Sequence, residues 1–216
     1  MKTTSPLTVE IAMPRSNDPK TITGFINCLS VFESATSLLY KNLADKVEMP
    51  LVKSLLLEIS LDSQKHSALL KGIGESLPKT KWKPKDCPKK IGEAWYVIES
   101  FSNEIAKKEK ISEEELPRLS EKLVALESIM GEEYYVLVQL KTLQLMTQEI
   151  NQLYNVNLES LKNIFTEIIN EEEHHREVLE TIKTLLDKKE QPKADNAPCV
   201  RYQHPDSWAQ SPPSTS

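Results

Sequence analysis

Little in this 216-residue chain favours a β-sheet. It has only five glycines and 6% aromatic residues, valine is sparse, and the middle is rich in Leu, Ile, Glu and Lys. That composition favours helix. Cysteine is also scarce. Cys28, Cys87 and Cys199 are far apart, odd in number and form no CxxC pair. This argues against a disulfide framework and against a four-cysteine metal knuckle. The expectation is a reduced, intracellular protein with a cytoplasmic location. No large basic surplus exists, since the net charge is −5, and nucleic acid is not an expected partner. The Lys79–Lys90 stretch is a local exception, read as a solvated loop. No segment approaches the roughly 20 apolar residues that span a bilayer. The N-terminus carries Asp and Pro and does not read as a signal peptide. No membrane partner is expected.

What is present is a core-forming 39% of hydrophobic residues set in helical periods. Residues 1–19, with Ser, Thr, Pro6 and Pro14, read as a flexible arm. Asp18 and Pro19 then offer a cap and a first helical turn. Phe25, Ile26, Leu29, Phe32, Leu39, Tyr40, Leu43 and Val47 trace one long helix, and Pro50 punctuates it. Val52, Leu55, Leu56, Ile59, Leu69, Leu70 and Ile73 trace a second, which stops near Gly74 and Pro78. Two such helices joined by a short turn should pack antiparallel. After the basic loop comes a shorter helix over "IGEAWYVIESFSNEIAKK". A capping-box pair, Ser112 and Glu115, then opens a third long helix, bent near Gly131. A fourth runs from about Leu158 to Leu186. Residues 189–216 read as a disordered tail. The expected architecture is all-α: residues 20–188 form a four-helix bundle of two hairpins, with an extra helix in the long connection.

Polar residues interrupt the apolar stripes where core is expected. In the second helix the interruption is Asp62, Ser63 and His66; in the fourth it is Glu171, Glu172 and His175. Positions three and four apart share a helix face, so both interruptions point inward. The two segments align without a gap: "EISLDSQKHSALLKGI" against "EIINEEEHHREVLETI" matches Asp62 to Glu171 and His66 to His175. Matching carboxylates are expected from the other two helices. Glu33 lies on the apolar face of the first. In the third, Glu133 is preferred for its apolar neighbours. Glu127 ranks second, standing seven residues before Tyr134 as Glu33 does before Tyr40. Several carboxylates buried at one level repel each other unless a cation lies between them. Carboxylates with neutral imidazole suit iron, manganese or zinc. Tyr40, Tyr134 and Tyr135 read as core packing or as groups behind the ligands. His174 falls off the face, and His204 lies in the tail without a partner pattern.

Over about Ile22 to Leu186 these residues resemble the ferritin-like superfamily, and within it the rubrerythrin-like di-iron carboxylate proteins. The resemblance implies a bundle in which each hairpin gives one Glu from its first helix and Glu-x-x-His from its second. Carried over by position, Glu33, Glu133, Glu172 and His175 match, with His66 as the second histidine. The chain departs at Ser63, where the motif wants Glu; Asp62 reaches from the same face, and Glu171 is its equivalent. The implied cofactors are two divalent metal ions, iron first, with manganese or zinc as alternatives. The implied activity is that of an oxidoreductase, of peroxidase or ferroxidase type, acting on peroxide or on dioxygen and ferrous iron. Without a rubredoxin-like knuckle, electrons would come from a separate donor. Bundles of this kind often form homodimers. The competing expectations are a non-catalytic metal-binding or storage protein and a helical scaffold with a degenerate site.

Overall fold

The computed structural model describes residues 19–77, 79–130 and 158–186. Expectations for the first arm up to residue 18, for Gly131, Glu133, Tyr134 and Tyr135, and for the tail with Cys199 and His204 lie outside them. The described residues are helical: α1 (Pro19–Lys46), α2 (Pro50–Ser76), α3 (Cys87–Ile91), α4 (Glu93–Ala106), α5 (residues 116–130) and α6 (Leu158–Leu186), with a 3-10 turn over Pro84–Asp86. Among them no strand forms; Val47 and Ile111 make one isolated bridge.

Sequence signals account for the boundaries. Pro50 stands at the first turn of α2, where a missing N–H costs nothing. Ser112 opens the approach to α5 as its pattern predicts: its backbone N–H donates to Glu115 Oε2 (3.2 Å), and the two side chains lie 3.3 Å apart. α1 and α2 form an antiparallel hairpin held by serines. Ser30 Oγ donates to the Ser67 carbonyl (2.9 Å), Ser67 Oγ to the Ser30 carbonyl (2.8 Å) and Ser60 Oγ to the Ser37 carbonyl (2.8 Å). One number rises as its partner falls, which is the antiparallel register. The backbones come close at Gly74, where an added Cβ would overlap the Asn27 side-chain oxygen.

The connection after α2 runs along α1. Cys87, opening α3, is disulfide-bonded to Cys28 of α1, with a Cα–Cα distance of 5.1 Å. At the other end Lys46 Nζ donates to the carbonyls of Ile105 (2.8 Å), Ala106 (3.3 Å) and Lys108, closing the C-terminus of α4. α5 turns back beside α4: Arg118 and Lys122 pair with Glu104 (2.9 and 2.8 Å), and Lys122 lies over the Phe101 ring. α5 and α6 also meet, through Lys183 and Glu121 (3.4 Å). Phe32, Leu29, Leu39, Leu43, Leu56, Ile59, Leu70, Ile91, Ile105, Leu119 and Leu123 form the most buried part of the core. Each such side chain contributes about 1.5–3 kcal/mol on leaving water.

Three expectations are corrected. The cysteines are not all unpaired: Cys28 and Cys87 are 59 residues apart in sequence, and no spacing rule could have joined them. The basic stretch is not wholly loop. Pro84 and Pro88 stand in the first turns of the 3-10 turn and of α3 and start them. One helix is also long and apolar enough to cross a membrane by length and composition. Ile22–Lys46 reaches a mean hydropathy of 1.3, yet 72% of that window is buried within the protein, where α1 packs against α2, α3 and α4. Closing a loop of this length by a disulfide restricts the unfolded chain by roughly 2–5 kcal/mol. Cys28→Ser is therefore expected to lower the unfolding free energy by about that amount, read by urea denaturation of the oxidised protein. Equal midpoints would contradict the pairing.

Candidate metal centre

Four helices send a charged or imidazole side chain to one buried level. Glu33 comes from α1, His66 from α2, Glu127 from α5, and Glu172 and His175 from α6. Each is at most 1% exposed. None of these positions is polar for local reasons. Glu33 follows Phe32 and Leu29, and Glu127 sits among Leu123, Leu126 and Met130, all core residues. The stripe of each helix stays in phase, so packing drives the carboxylates inward.

The five side chains form two overlapping triads, Glu33–His66–Glu172 and Glu127–Glu172–His175. In each, one donor atom per residue lies within 4.8 Å of the others. Glu172 belongs to both. One of its oxygens lies 3.0 Å from His66 Nδ1, and the other lies 3.8 Å from His175 Nδ1. Glu33 is 3.8 Å from His66 Nδ1, and Glu127 is 3.3 Å from His175 Nδ1. The imidazole rings are tilted, 5.9 Å between centroids.

The outer nitrogens of the histidines meet the rim. His66 Nε2 pairs with Glu171 Oε2 at 2.6 Å, and His175 Nε2 lies 3.5 Å from Asp62 Oδ2. Each histidine is thus backed by the carboxylate standing four residues before the other histidine. The two halves of the internal repeat are crossed. Lys65 lies over both rim acids, bonded to Glu171 and 3.5 Å from Asp62. Burial pushes Glu171 up, and Lys65 and His66 outweigh it, holding the carboxyl below its ordinary range. An ionised Glu171 only accepts, so His66 Nε2 carries a proton, and once the Nδ1 proton leaves, Nδ1 faces inward as a ligand.

The electrostatics of the protein without metal are those of protons standing where cations fit. Burial pulls His66 down, and Glu172 and Glu33 push it up beyond that, to about 11. Burial likewise lowers His175, while Glu127 and Glu172 raise it to about 10. Burial and the neighbouring Glu172 push Glu127 up to about 7, against the pull of His175. Burial and Glu33 raise Glu172, but His175 and His66 prevail and hold it low. Burial, then Glu127, pushes the Tyr40 phenol well above 10. Its hydroxyl donates to Glu127 Oε1. Even so, His66 Nδ1 and both Glu172 oxygens are buried and make no hydrogen bond. Buried polar atoms without partners are rare and costly, and these three belong to the two triads that could each hold a cation. Oxygen and imidazole donors in this mixture suit a divalent first-row metal.

The structure brings together Glu33, His66, Glu172 and His175 from the sequence-derived set. It places Asp62 and Glu171 at the outer nitrogens and not in either triad. Glu127, ranked second from sequence, holds the α5 position; Glu133 lies outside the described residues. The seven-residue interval shared by Glu33–Tyr40 and Glu127–Tyr134 was the signal pointing to Glu127. Lys65 gives no signal in the sequence, because a lysine before an inward histidine reads as surface. Ser63 is buried and turns its hydroxyl to the Ile59 carbonyl (3.0 Å). His174 is half-exposed, beside Glu58 at 3.5 Å.

Neutralising one rim acid, by Asp62→Asn or Glu171→Gln, is expected to weaken metal binding about 10–100-fold at unchanged stoichiometry. A titration against a competing chelator reads this; a lost metal would instead make the rim acid a ligand. No protein-family model, curated protein or solved structure matches this chain. The buried Glu/His triads therefore carry the functional argument alone.

Proposed function

We propose that the chain is a ferritin-like, rubrerythrin-like di-metal carboxylate protein, an oxidoreductase that holds two irons and acts on peroxide or on dioxygen and ferrous iron. The observation that supports this reading is the pair of overlapping buried triads sharing Glu172. The elements also suit the fold. α1–α2 and α5–α6 serve as the two hairpins, and α3–α4 as the long connection lying along α1.

In this reading Glu33, His66 and Glu172 would hold one ion, and Glu127, Glu172 and His175 would hold the other. Two adjacent irons, when bound, supply two electrons to one small oxidant. The protein's own contribution is to fix donors and protons. Asp62 and Glu171 orient the imidazoles. Tyr40 holds a proton at its hydroxyl against Glu127 and keeps that carboxylate in place. The five donor side chains are 0–1% exposed, while Asp62, Lys65 and Glu171 beside them reach water. An external donor would supply the electrons for a reductive cycle.

The test loads the full chain anaerobically with ferrous iron and mixes it with hydrogen peroxide. The expected outcome is one peroxide consumed per two irons oxidised, faster than for iron in buffer. Oxidation no faster than the buffer control, with iron bound, would leave a metal-holding protein without this activity.

A further inference from the structure

The two halves of the centre are not equal. On α6 an inward carboxylate, Glu172, stands three residues before His175 and reaches both triads. On α2 the equivalent position before His66 is Ser63. It is 1% exposed and on the same helix face as His66. Its hydroxyl proton is committed to the Ile59 carbonyl at 3.0 Å, and serine carries no charge. The repeat thus supplies one bridging carboxylate where its symmetry calls for two.

This has a consequence for charge and coordination. Three carboxylates, Glu33, Glu127 and Glu172, lie directly at the triads. Against two divalent ions they leave one positive charge at the metals. Asp62 and Glu171 lie one shell further out, against Lys65 and the outer histidine nitrogens. With these rim groups the centre is near neutral as a whole, so what its α2 half lacks is a metal donor and not a charge: each triad offers one donor from each of three residues, fewer than the roughly four to six that first-row divalent metals take. On the α2 side His66 Nδ1 and a Glu172 oxygen, 3.0 Å apart, are buried and make no hydrogen bond. The α2–α6 seam at this level also reaches water. Asp62 and Glu171 are about a quarter exposed and the Lys65 side chain is 40% exposed.

Building on the metal-centre reading, we propose that the site completes itself from solution. A small monocarboxylate, formate- or acetate-sized, takes the position facing Ser63 and bridges the two metals as the missing glutamate would. The side chain of Ser63 makes room and is not itself a ligand. Metal binding and small-anion binding are then one coupled equilibrium, each tightening the other by the same factor.

The test uses the metal-free full chain and cobalt(II), whose visible spectrum reports coordination and which needs no turnover. Cobalt is titrated against a competing chelator at fixed ionic strength, with and without 50 mM formate, on the wild type, Ser63→Ala and Ser63→Glu. The expected result is at least tenfold tighter binding of one of the two ions with formate, and an altered cobalt spectrum, in both the wild type and Ser63→Ala. Ser63→Glu should bind two ions tightly and ignore formate. Two tightly bound ions in the wild type, with no formate effect on affinity or spectrum, would overturn the proposal and leave the metal centre standing. No cobalt in the wild type under either condition would overturn the metal-centre reading itself. Should Ser63→Glu fail to fold, the wild type and Ser63→Ala still decide the matter.

Discussion

Glu172→Gln is expected to remove both metals at once, where Glu33→Gln and Glu127→Gln each remove one. Glu172 is the one residue common to the two triads, with an oxygen turned toward each histidine. The amide keeps the volume and one acceptor but loses the charge that two cations share. The loss of affinity should exceed the roughly 10–100-fold that follows from changes behind the ligands. Without metal the same substitution leaves His66 and His175 facing fewer carboxylates. Removing one partner of a buried ion pair costs about 3–5 kcal/mol, so a lowered melting temperature should accompany the metal loss. The pattern of none, one and one, read by metal analysis of folded variants, is specific to a shared ligand. Two independent sites would give one metal in all three variants.

The second large effect is on pH. His66 and His175 are held protonated far above the ordinary value of 6.5, to about 11 and about 10. Each must lose its Nδ1 proton before it can ligate. Metal uptake near neutral pH therefore releases about two protons per chain, and each ion's affinity rises roughly tenfold per pH unit. An ordinary histidine would stop contributing above about pH 6.5; here the slope should continue through pH 7–9. The metal-free protein moves the opposite way. A group whose pKa is raised by folding stabilises the fold fully below its unfolded value. That stabilisation is lost as pH rises through the folded value. For the histidines the loss runs from about 6.5 to about 10 and 11. For Glu127, raised from 4.5 to about 7, it runs between those values. The metal-free protein should thus melt at lower temperature at pH 9 than at pH 5.5, and the metal-loaded protein should reverse the order. Melting curves at the two pH values, with and without zinc, read this directly. Parallel curves would mean that the histidines are not engaged with the carboxylates.

The long helices were legible because their apolar residues keep the helical period and their ends carry proline and capping signals. The residues from Leu158 to Leu186, expected to form the fourth long helix, are helical throughout. The inward turn of Glu33, His66, Glu172 and His175 followed from the same period, since the stripe stays in phase across the polar interruption. What the period cannot give is the relation between helices. Asp62 and Glu171 share the inward face with the donors, and only the packing of α2 on α6 places them at the outer nitrogens. That Glu127 lies level with Tyr40, which donates to it, is a matter of depth along the helix axis, and the period does not give depth. The Cys28–Cys87 bond depends on the path of the connection along α1, and composition is silent about paths.

The central claim is that the buried triads hold two metals. It is tested most directly by the metal content of the full chain, purified without a metal-affinity tag and offered ferrous iron anaerobically. The account predicts about two irons per chain, falling to none in Glu172→Gln. A folded protein that takes up no iron, cobalt or zinc would contradict it and leave a helical scaffold with protons where metals were expected.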